Sequence, residues 1–477
     1  MISGLADLVR SGTVSAEALV DHALQRIGRD DPSLNAVVAV RADEALEEAR
    51  SLDARIRRGE DPGLLAGLPV LVKDVHDVAG MPTTFGSALF ADAPPAESDG
   101  HITARLRAAG AIVVGKTNTP EFATEGFTAN LVFGATSNPW GQGWSPGGSS
   151  GGSAAALAAG MVPIATATDG GGSIRIPAAF CGLVGLKPTN GVIGRSPIPD
   201  WIDFSTDGPL AASVADLRLQ LAVLAGPVPG DPTALPRPWP GAAVATTTAL
   251  GRPATQTRAA LAAPRFTPWG PLPAAVAAAF EAALRAWERT FKSGVEPVEP
   301  EALFRSGNPD TDWFVLATAE HVNRLGRDKV TANLERFHPA ARWFLEEGLT
   351  VSIDDYLAAR RRRFDYVREL DELLGEDGVI LTPTVASEGW LADGRLPGAG
   401  DAGALPAHVY NTAVQNVTGH PAVSLPAGRL PNGLPFGLQV TGPRFRDDML
   451  LELAEAWEQA NPWPAVAPGY QPFDAGL

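Results

Sequence analysis

The chain has 477 residues, of which 45% are hydrophobic and 19% are charged, and its formal net charge is −16. This composition is typical of a globular protein with a sizeable core and excludes an intrinsically disordered chain. The acidic balance argues against nucleic-acid binding, which requires a basic face on the protein. Cys181 is the only cysteine, which excludes an intrachain disulfide and a cysteine-rich metal site.

The N-terminal sequence lacks the basic segment and apolar run of a secretion signal. No window holds the roughly 18 consecutive apolar residues that a membrane-spanning helix requires. We therefore predict a cytoplasmic protein that makes no membrane contact. The sequence does not fix the oligomeric state, and a homodimer is compatible with it.

Predicted helices and strands alternate through the first half of the chain. Helical periodicity covers residues 15–28 and 41–58, with Ser15 as an N-cap. The apolar run Leu68–Val72 predicts a buried strand that has Lys73 at its carboxyl end. Two helix-to-strand transitions follow, in ITARLRAAGAIVV and SAAALAAGMVPIATAT. This alternation predicts an α/β fold with a sheet that is covered on both faces.

The second half begins with a Pro-, Ala- and Thr-rich section at residues 226–273, which predicts a surface excursion from a single domain spanning residues 1–477. Helical patterns then resume, and Ser352 lies at capping-box spacing from Asp355. The run of four arginines at residues 360–363 predicts a solvated helix face. Asn432 and the glycine after it predict a tight turn between late strands that return to the same sheet.

The segment GAIVVGKT, residues 110–117, fits the phosphate-loop pattern G-x-x-x-x-G-K-T. A phosphate loop follows its strand and exposes successive backbone N–H groups. Here the four intervening residues are themselves the apolar, β-branched strand. The context therefore argues against a nucleotide site.

The segment GGSSG, residues 147–151, fits the nucleophile elbow G-x-S-x-G, which would make Ser149 the nucleophile of an α/β-hydrolase-type esterase. An elbow needs a strand that runs directly into the serine, whereas SNPWGQGWSP has two prolines and two glycines. Candidate partners such as His408 and His420 have no informative sequence context. The esterase remains an alternative.

A third motif, DGGGS at residues 169–173, follows the predicted strand MVPIATAT and forms a tight turn at its carboxyl end. Because glycine adopts positive φ freely, consecutive N–H groups can converge on one point, as a developing oxyanion requires. Ser173 ends this turn and is placed to attack a bound carbonyl.

A nucleophilic serine needs a base, and no histidine lies near either glycine turn in the sequence. Lys73 leaves an apolar strand, and burial can lower the pKa of a lysine by several units. A neutral Lys73 can accept a proton, and the hydroxyl of Ser149 can relay it because it both donates and accepts. Taken singly, an ion pair between Lys73 and Asp74 and two ordinary loops explain the same residues. Taken together, the motifs explain one another as one site.

At this point GLPVLVKD, GKTNTPEF, SPGGSSGGS, TDGGGSIRIP, DGPL and NVTGHPAVSLP resemble the amidase signature family of serine hydrolases. The resemblance is specific over residues 67–217, the signature core, and looser to the C-terminus. It implies a single large domain with a central mixed β-sheet that is covered by helices on both faces. The family carries a Ser–cis-Ser–Lys triad whose serines are 24 positions apart, as Ser149 and Ser173 are. No metal and no organic cofactor is implied.

Carried over by position, the resemblance makes Ser173 the nucleophile, Ser149 the bridging serine after a cis bond to Gly148, and Lys73 the base. The predicted oxyanion hole consists of the N–H groups of Gly170, Gly171, Gly172 and Ser173.

Other residues of these motifs have supporting roles. Ser150 supports the loop, and Arg175 orders the glycine turn with Asp169 as a partner. Cys181 is a packed thiol, since no nearby histidine would generate a thiolate. Gly170 replaces a residue that has a side chain in many relatives, which predicts an enlarged pocket.

The sequence therefore predicts an amidohydrolase that cleaves a small-molecule amide to an acid and ammonia or an amine through an acyl-enzyme. One alternative is an amidotransferase subunit that hydrolyses glutamine and works with a partner. Another is a non-catalytic binding protein, which the intact triad disfavours.

Overall fold

The computed structural model describes residues 2–198, 201–236, 260–267, 270–397 and 410–474. These residues form an α/β fold in which mixed β-sheets are flanked by helices, as the sequence predicts. The α-helices of the described residues are α1 (Ile2–Arg10), α2 (Ala16–Asp30), α3 (Ala42–Arg57), α4 (His101–Ala108), α5 (Gly151–Ala158), α6 (Arg175–Cys181), α7 (Val214–Leu224), α8 (Ala274–Phe291), α9 (Pro300–Leu303), α10 (Pro309–Leu325), α11 (Arg327–Ala332), α12 (Pro339–Thr350), α13 (Ile353–Leu374), α14 (Ala413–Thr418) and α15 (Asp447–Ala460).

The strands alternate with these helices along the chain. They are β1 (Val37–Val40), β2 (Pro69–Lys73), β3 (Ile112–Thr117), β4 (Ala129–Asn130), β5 (Gly134–Ala135), β6 (Ile164–Ala165), β7 (Ala167–Asp169), β8 (Val184–Lys187), β9 (Thr206–Gly208), β10 (Leu210–Ala211), β11 (Ala260–Ala262), β12 (Val295–Pro297), β13 (Val379–Pro383), β14 (Ala422–Arg429) and β15 (Pro435–Thr441).

Two larger sheets organise the described part of the chain. A seven-stranded sheet has the order β10-β8-β14-β15-β13-β11-β12, and a four-stranded sheet has the order β1-β3-β2-β6. The larger sheet is mixed, since β11 runs parallel to β12 and β13 while β13, β14 and β15 pair antiparallel. The smaller sheet is mixed too, because β3 pairs antiparallel with β1 and parallel with β2. Two short ribbons, β4-β5 and β7-β9, complete the pairing.

Strands β2 and β3 form the parallel centre of the smaller sheet and are buried at every position. Their β-branched, apolar sequences suit a strand that is covered on both faces. Lys73 pairs with Thr117 at the shared carboxyl end. Lys116 lies inside β3, and its Nζ is 2.7 Å from Oδ1 of buried Asp74. The GAIVVGKT segment is thus a turn followed by a strand, in agreement with the rejection of a phosphate loop.

Helix α5 lies within the core and is buried at every residue. Its small side chains allow a close approach to the sheet. A Cβ at Gly152 would lie 2.5 Å from the backbone nitrogen of Asn118, which only glycine tolerates. The predicted helix caps are confirmed: Ser15 and Ser352 accept hydrogen bonds from the backbones of Ala18 and Asp355.

Two sequence predictions need correction. The predicted surface excursion ends too late, because Ala260–Ala262 is strand β11 inside the seven-stranded sheet; residues 237–259 lie outside the described residues. The arginine run on α13 is also less solvated than predicted. Arg360 and Arg363 both donate to Asp203, and Arg362 donates to Asp312. Among the described residues, no helix combines the length and the apolar character that crossing a membrane requires.

Candidate functional site

Lys73 is fully buried at the carboxyl end of β2, and within the described residues its amine nitrogen donates only to hydroxyl groups. The Nζ atom lies 2.7 Å from Ser149 Oγ, 3.0 Å from Ser150 Oγ and 2.8 Å from Thr168 Oγ1. Burial lowers the pKa of Lys73 to about 7, against the opposing charges of Asp169 and Asp207. An amine that is substantially uncharged near neutral pH can take a proton from a hydroxyl that it touches.

Ser149 lies in the loop that precedes α5 and has no solvent exposure. The Gly148–Ser149 peptide bond is cis, as the family resemblance implies. A Cβ at Gly148 would lie 2.4 Å from the carbonyl oxygen of Phe127, so the loop depends on glycine there. This close approach places the Ser149 hydroxyl against Lys73.

Ser173 is 7% exposed and lies directly beside the Ser149 loop. The N–H of Ser150 donates to the carbonyl oxygen of Ser173 at 3.2 Å. Within the described residues, the two loops are joined through this backbone contact, and no hydrogen bond joins Oγ of Ser149 to Oγ of Ser173. The structure therefore gathers the two serine loops and the lysine at one place.

The carbonyl groups of the glycine turn are held by side chains from distant parts of the chain. Trp313 Nε1 donates to the Gly170 oxygen at 2.7 Å, and Thr412 Oγ1 donates to the Gly171 oxygen. In the described chain, the N–H groups of Gly170, Gly171 and Ser173 donate to no protein acceptor. They are therefore available to a bound oxygen atom.

The predicted set of four oxyanion donors needs a correction at Gly172. Its N–H donates to Oδ1 of Asp169 at 2.8 Å and so shapes the turn instead of facing an empty site. The residue has φ +125°, which glycine adopts readily, and a Cβ there would lie 2.1 Å from Oγ1 of Thr412.

The prediction that Gly170 enlarges the pocket is wrong. A Cβ at this position would lie 1.8 Å from Cε3 of Trp201, so the indole already fills the space that a side chain would take. Trp201 in turn contacts Trp313 edge-on, with 5.9 Å between ring centroids. The indole of Trp201 therefore occupies the space beside Gly170, and the pocket is not enlarged there.

Asp169 and Arg175 form a buried, bidentate ion pair under the glycine turn, as predicted. Arg175 Nε and Nη2 lie 2.9 and 2.7 Å from the two carboxylate oxygens. Burial disfavours the charged carboxylate, but Arg175 outweighs this effect and holds the pKa of Asp169 below its usual value. The guanidinium of Arg175 also donates hydrogen bonds to acceptors on β15 and on or beside α14. These acceptors are Gln439, Gln415, Asn416 and the carbonyl of Thr412.

Sequence reasoning missed Thr168, Trp201, Trp313 and Thr412. Thr168 directly precedes DGGGS, so its place at the end of the strand is a usable signal. The other three are distant in the sequence and carry no local motif.

The contacts of Ser149 do not support the nucleophile elbow. The last strand before it is β5, which ends at Ala135, and its hydroxyl contacts Lys73 instead of a histidine. His420 Nε2 lies 3.0 Å from a carboxylate oxygen of Asp371, and His408 lies outside the described residues. Cys181 is a buried thiol whose pKa burial raises, consistent with a packing role.

The chain is similar to known proteins over most of its length. The Amidase family model matches residues 18–451. A glutamyl-tRNA(Gln) amidotransferase subunit from Synechococcus sp. (strain RCC307) is 34% identical over 96% of this chain and 97% of its own. The putative amidase AmiA2 of Mycobacterium tuberculosis (strain ATCC 25618 / H37Rv) is 35% identical over 95% of this chain and 92% of its own.

A solved structure agrees with the sequence relatives. The crystal structure of a bacterial aryl acylamidase of the amidase signature family matches with a TM-score of 0.83 and 27% identity, over 96% of each chain. Fold, signature segments and relatives agree, and the chain belongs to the amidase signature family, whose members are hydrolases that act on the C–N bonds of amides.

Proposed function

We propose that this enzyme hydrolyses a carboxylic acid amide through an acyl-enzyme on Ser173, with Ser149 as proton relay and Lys73 as base. One observation carries the proposal: a fully buried lysine amine, with its pKa lowered to about 7, lies 2.7 Å from the hydroxyl of Ser149. This contact supplies a base where the described chain brings no histidine to the serine loops.

In the acylation step, Lys73 accepts the Ser149 proton while Ser149 Oγ accepts the Ser173 proton. Ser173 Oγ then attacks the amide carbon, and the N–H groups of Gly170, Gly171 and Ser173 stabilise the negative oxygen. The proton returns through Ser149 to the amide nitrogen, the C–N bond breaks, and ammonia or an amine leaves.

In the deacylation step, water attacks the Ser173 ester. Lys73 removes one proton from the water through Ser149, and Ser173 leaves with that proton. The carboxylic acid that forms keeps the other proton and loses it to solvent. The same three side chains therefore serve both halves of the reaction.

A serine-directed fluorophosphonate probe, followed by peptide mass spectrometry, tests the assignment. We expect the label on Ser173, and we expect Ser173→Ala to lose both labelling and turnover. Ser149→Ala keeps the nucleophile but labels slowly. Ser153→Ala is the matched control, since Ser153 is a buried serine of α5 that contacts Thr117 and the Thr166 carbonyl instead of Lys73. Full activity in Ser173→Ala, or a label on Ser149, would overturn the proposal.

A second candidate function is that of an amidotransferase subunit, favoured by the 34% identity to the glutamyl-tRNA(Gln) amidotransferase relative over 96% of this chain. The net charge of −16 gives little support for tRNA contact. Turnover of aryl and aliphatic amides by the purified chain alone favours the free-standing amidase. Glutamine hydrolysis that requires the addition of a partner protein favours the second candidate.

A further inference from the structure

A polar cluster outside the triad lines a cavity beside Thr168, the third hydroxyl partner of Lys73. The cavity has a volume of about 180 Å³ and is lined by Thr168, His76, His101 and Asp207, together with an aromatic wall that includes Trp201. None of these polar groups has a role in the steps described above.

The backbone fixes Asp207 next to the base. Strand β9 pairs antiparallel with β7, and Asp207 stands directly opposite Thr168. Directly opposed residues of such a pair project to the same face, with Cβ atoms about 5 Å apart. Thr168 Oγ1 is 2.8 Å from Lys73 Nζ, so the Asp207 carboxylate lies within electrostatic reach of the amine.

Two carboxylates act on Lys73, and their counter-ions differ. Asp169 is held by Arg175, whose charge does not change with pH. Asp207 has His76 Nε2 at 3.0 Å and His101 Nε2 at 4.0 Å. Burial disfavours its charge, but His76, His101 and Arg195 together hold the pKa of Asp207 below its usual value.

His76 is also tied to the base through the backbone. The backbone N–H of His76 donates to the carbonyl oxygen of Lys73 at 3.0 Å, in the turn that follows β2. The side chain of His76 is 15% exposed and lines the cavity, while the Nε2 atom that faces Asp207 is buried.

We propose that Asp207 is a positioning residue that sets the charge on Lys73, and that the imidazoles of His76 and His101, as its counter-ions, weaken this effect. The proposal rests on the proposed function, because it takes Lys73 as the base. The other titratable or charged groups that line the cavity are Asp77, Arg195, His321 and Arg324.

The sign of each effect follows from charge. The Asp207 carboxylate stabilises the ammonium form of Lys73, and the imidazole of His76, 3.0 Å from that carboxylate, acts as its counter-ion and cancels part of its field. Removing the carboxylate therefore makes Lys73 lose its proton more readily, whereas removing the imidazole makes it hold the proton more firmly.

The pH dependence of kcat/KM for an aryl amide tests this inference with Asp207→Asn. We expect its acid limb to move to lower pH by about one unit. Asp77→Asn is the matched control, because it replaces a carboxylate by an amide in the same cavity. The Asp77 carboxylate accepts a hydrogen bond from Thr83. The profile of Asp77→Asn should follow that of the unmodified enzyme.

His76→Gln provides the opposite shift, with the acid limb moving to higher pH. Structural damage alone would not move the two limbs in opposite directions. If Asp207→Asn fails to fold, the direction of the His76→Gln shift decides the matter. The inference would be overturned if the pH profiles of Asp207→Asn and His76→Gln superposed on that of the unmodified enzyme, or if both acid limbs moved in the same direction. The result is distinguishable from failure of the proposed function, in which Ser173→Ala would remain active.

Discussion

At the residue scale, a buried lysine can act as a base only when its amine contacts a group that can give it a proton. Three buried lysines lie near the site, and burial lowers the pKa of each. Lys116 is bonded to the Asp74 carboxylate, and Lys187 donates to the Pro188 carbonyl and the Asn190 amide oxygen. Lys73 alone among these three contacts serine hydroxyls that can relay a proton. Its position after an apolar strand was readable from the sequence, whereas these partner differences were not.

Lys73 should give the enzyme an acid limb near neutral pH. Its pKa in the folded enzyme is lowered to about 7, so the active, uncharged form is lost as pH falls through that value. We expect kcat/KM to fall about tenfold for each further unit of acidification, because one proton inactivates the base. Lys73→Met should remove turnover throughout the pH range. A profile whose acid limb lies near pH 4 would contradict this assignment.

Gly170 should not tolerate a side chain. In Gly170→Ala the new Cβ would collide with Trp201, at 1.8 Å from Cε3. Overpacking of this kind costs about 1–3 kcal/mol of folding free energy. Chemical denaturation measures the loss, and the same Gly170→Ala change should cost much less in a Trp201→Ala background, where the indole no longer fills the space. Full stability in Gly170→Ala alone would mean that the indole moves freely.

At the element scale, the turn between β7 and α6 is held from behind by α14. Patterns of periodicity and capping predicted β2, α2 and α13 because their signals are local. Arg175 donates to Gln415 and Asn416 of α14, and we call these contacts together with the Asp169–Arg175 ion pair the clamp. The α14 contacts were not predictable, since they join residues 240 and 241 positions apart in the sequence and carry no motif. Only the local half of the clamp, the Asp169–Arg175 pair, was readable.

Breaking this clamp should destabilise the fold strongly. Arg175→Met leaves a buried carboxylate without its counter-ion, which costs about 3–5 kcal/mol. Adding Asp169→Asn should restore part of the loss, because the uncompensated charge is then removed. The control is Arg305→Met, whose side chain is 73% exposed and whose ion pair should contribute less than about 1 kcal/mol. Equal midpoints of urea unfolding for the two single variants would refute this reading.

At the scale of the whole molecule, Arg26 joins three distant parts of the chain. From α2 it donates to the carbonyl oxygens of Gly160, Gln471 and Pro472 at 2.8–2.9 Å. It thus ties the N-terminal helices and the end of α5 to the C-terminal segment. The fold class was predictable from alternating elements, but this closure was not, because carbonyl acceptors leave no signature in a sequence.

Arg26→Leu should therefore loosen the C-terminal segment. We expect a loss of about 1–3 kcal/mol, since one buried and two part-buried carbonyl groups lose their donor. Hydrogen exchange should show faster exchange near residue 471, with the glycine turn at residues 169–173 unaffected. Arg29→Leu is the comparison, because the Arg29 side chain is 62% exposed further along α2. Equal exchange in both variants would show that the segment is held by other contacts.

The two indoles that enclose the glycine turn have an optical consequence. Trp313 donates to the Gly170 carbonyl and Trp201 packs against the same residue. Indole emission depends on local polarity, so covalent modification of Ser173, the proposed nucleophile, should alter the fluorescence of this pair. The two indoles would then serve as a native reporter with which rapid-mixing experiments can time the formation and breakdown of the proposed acyl-enzyme without an added dye.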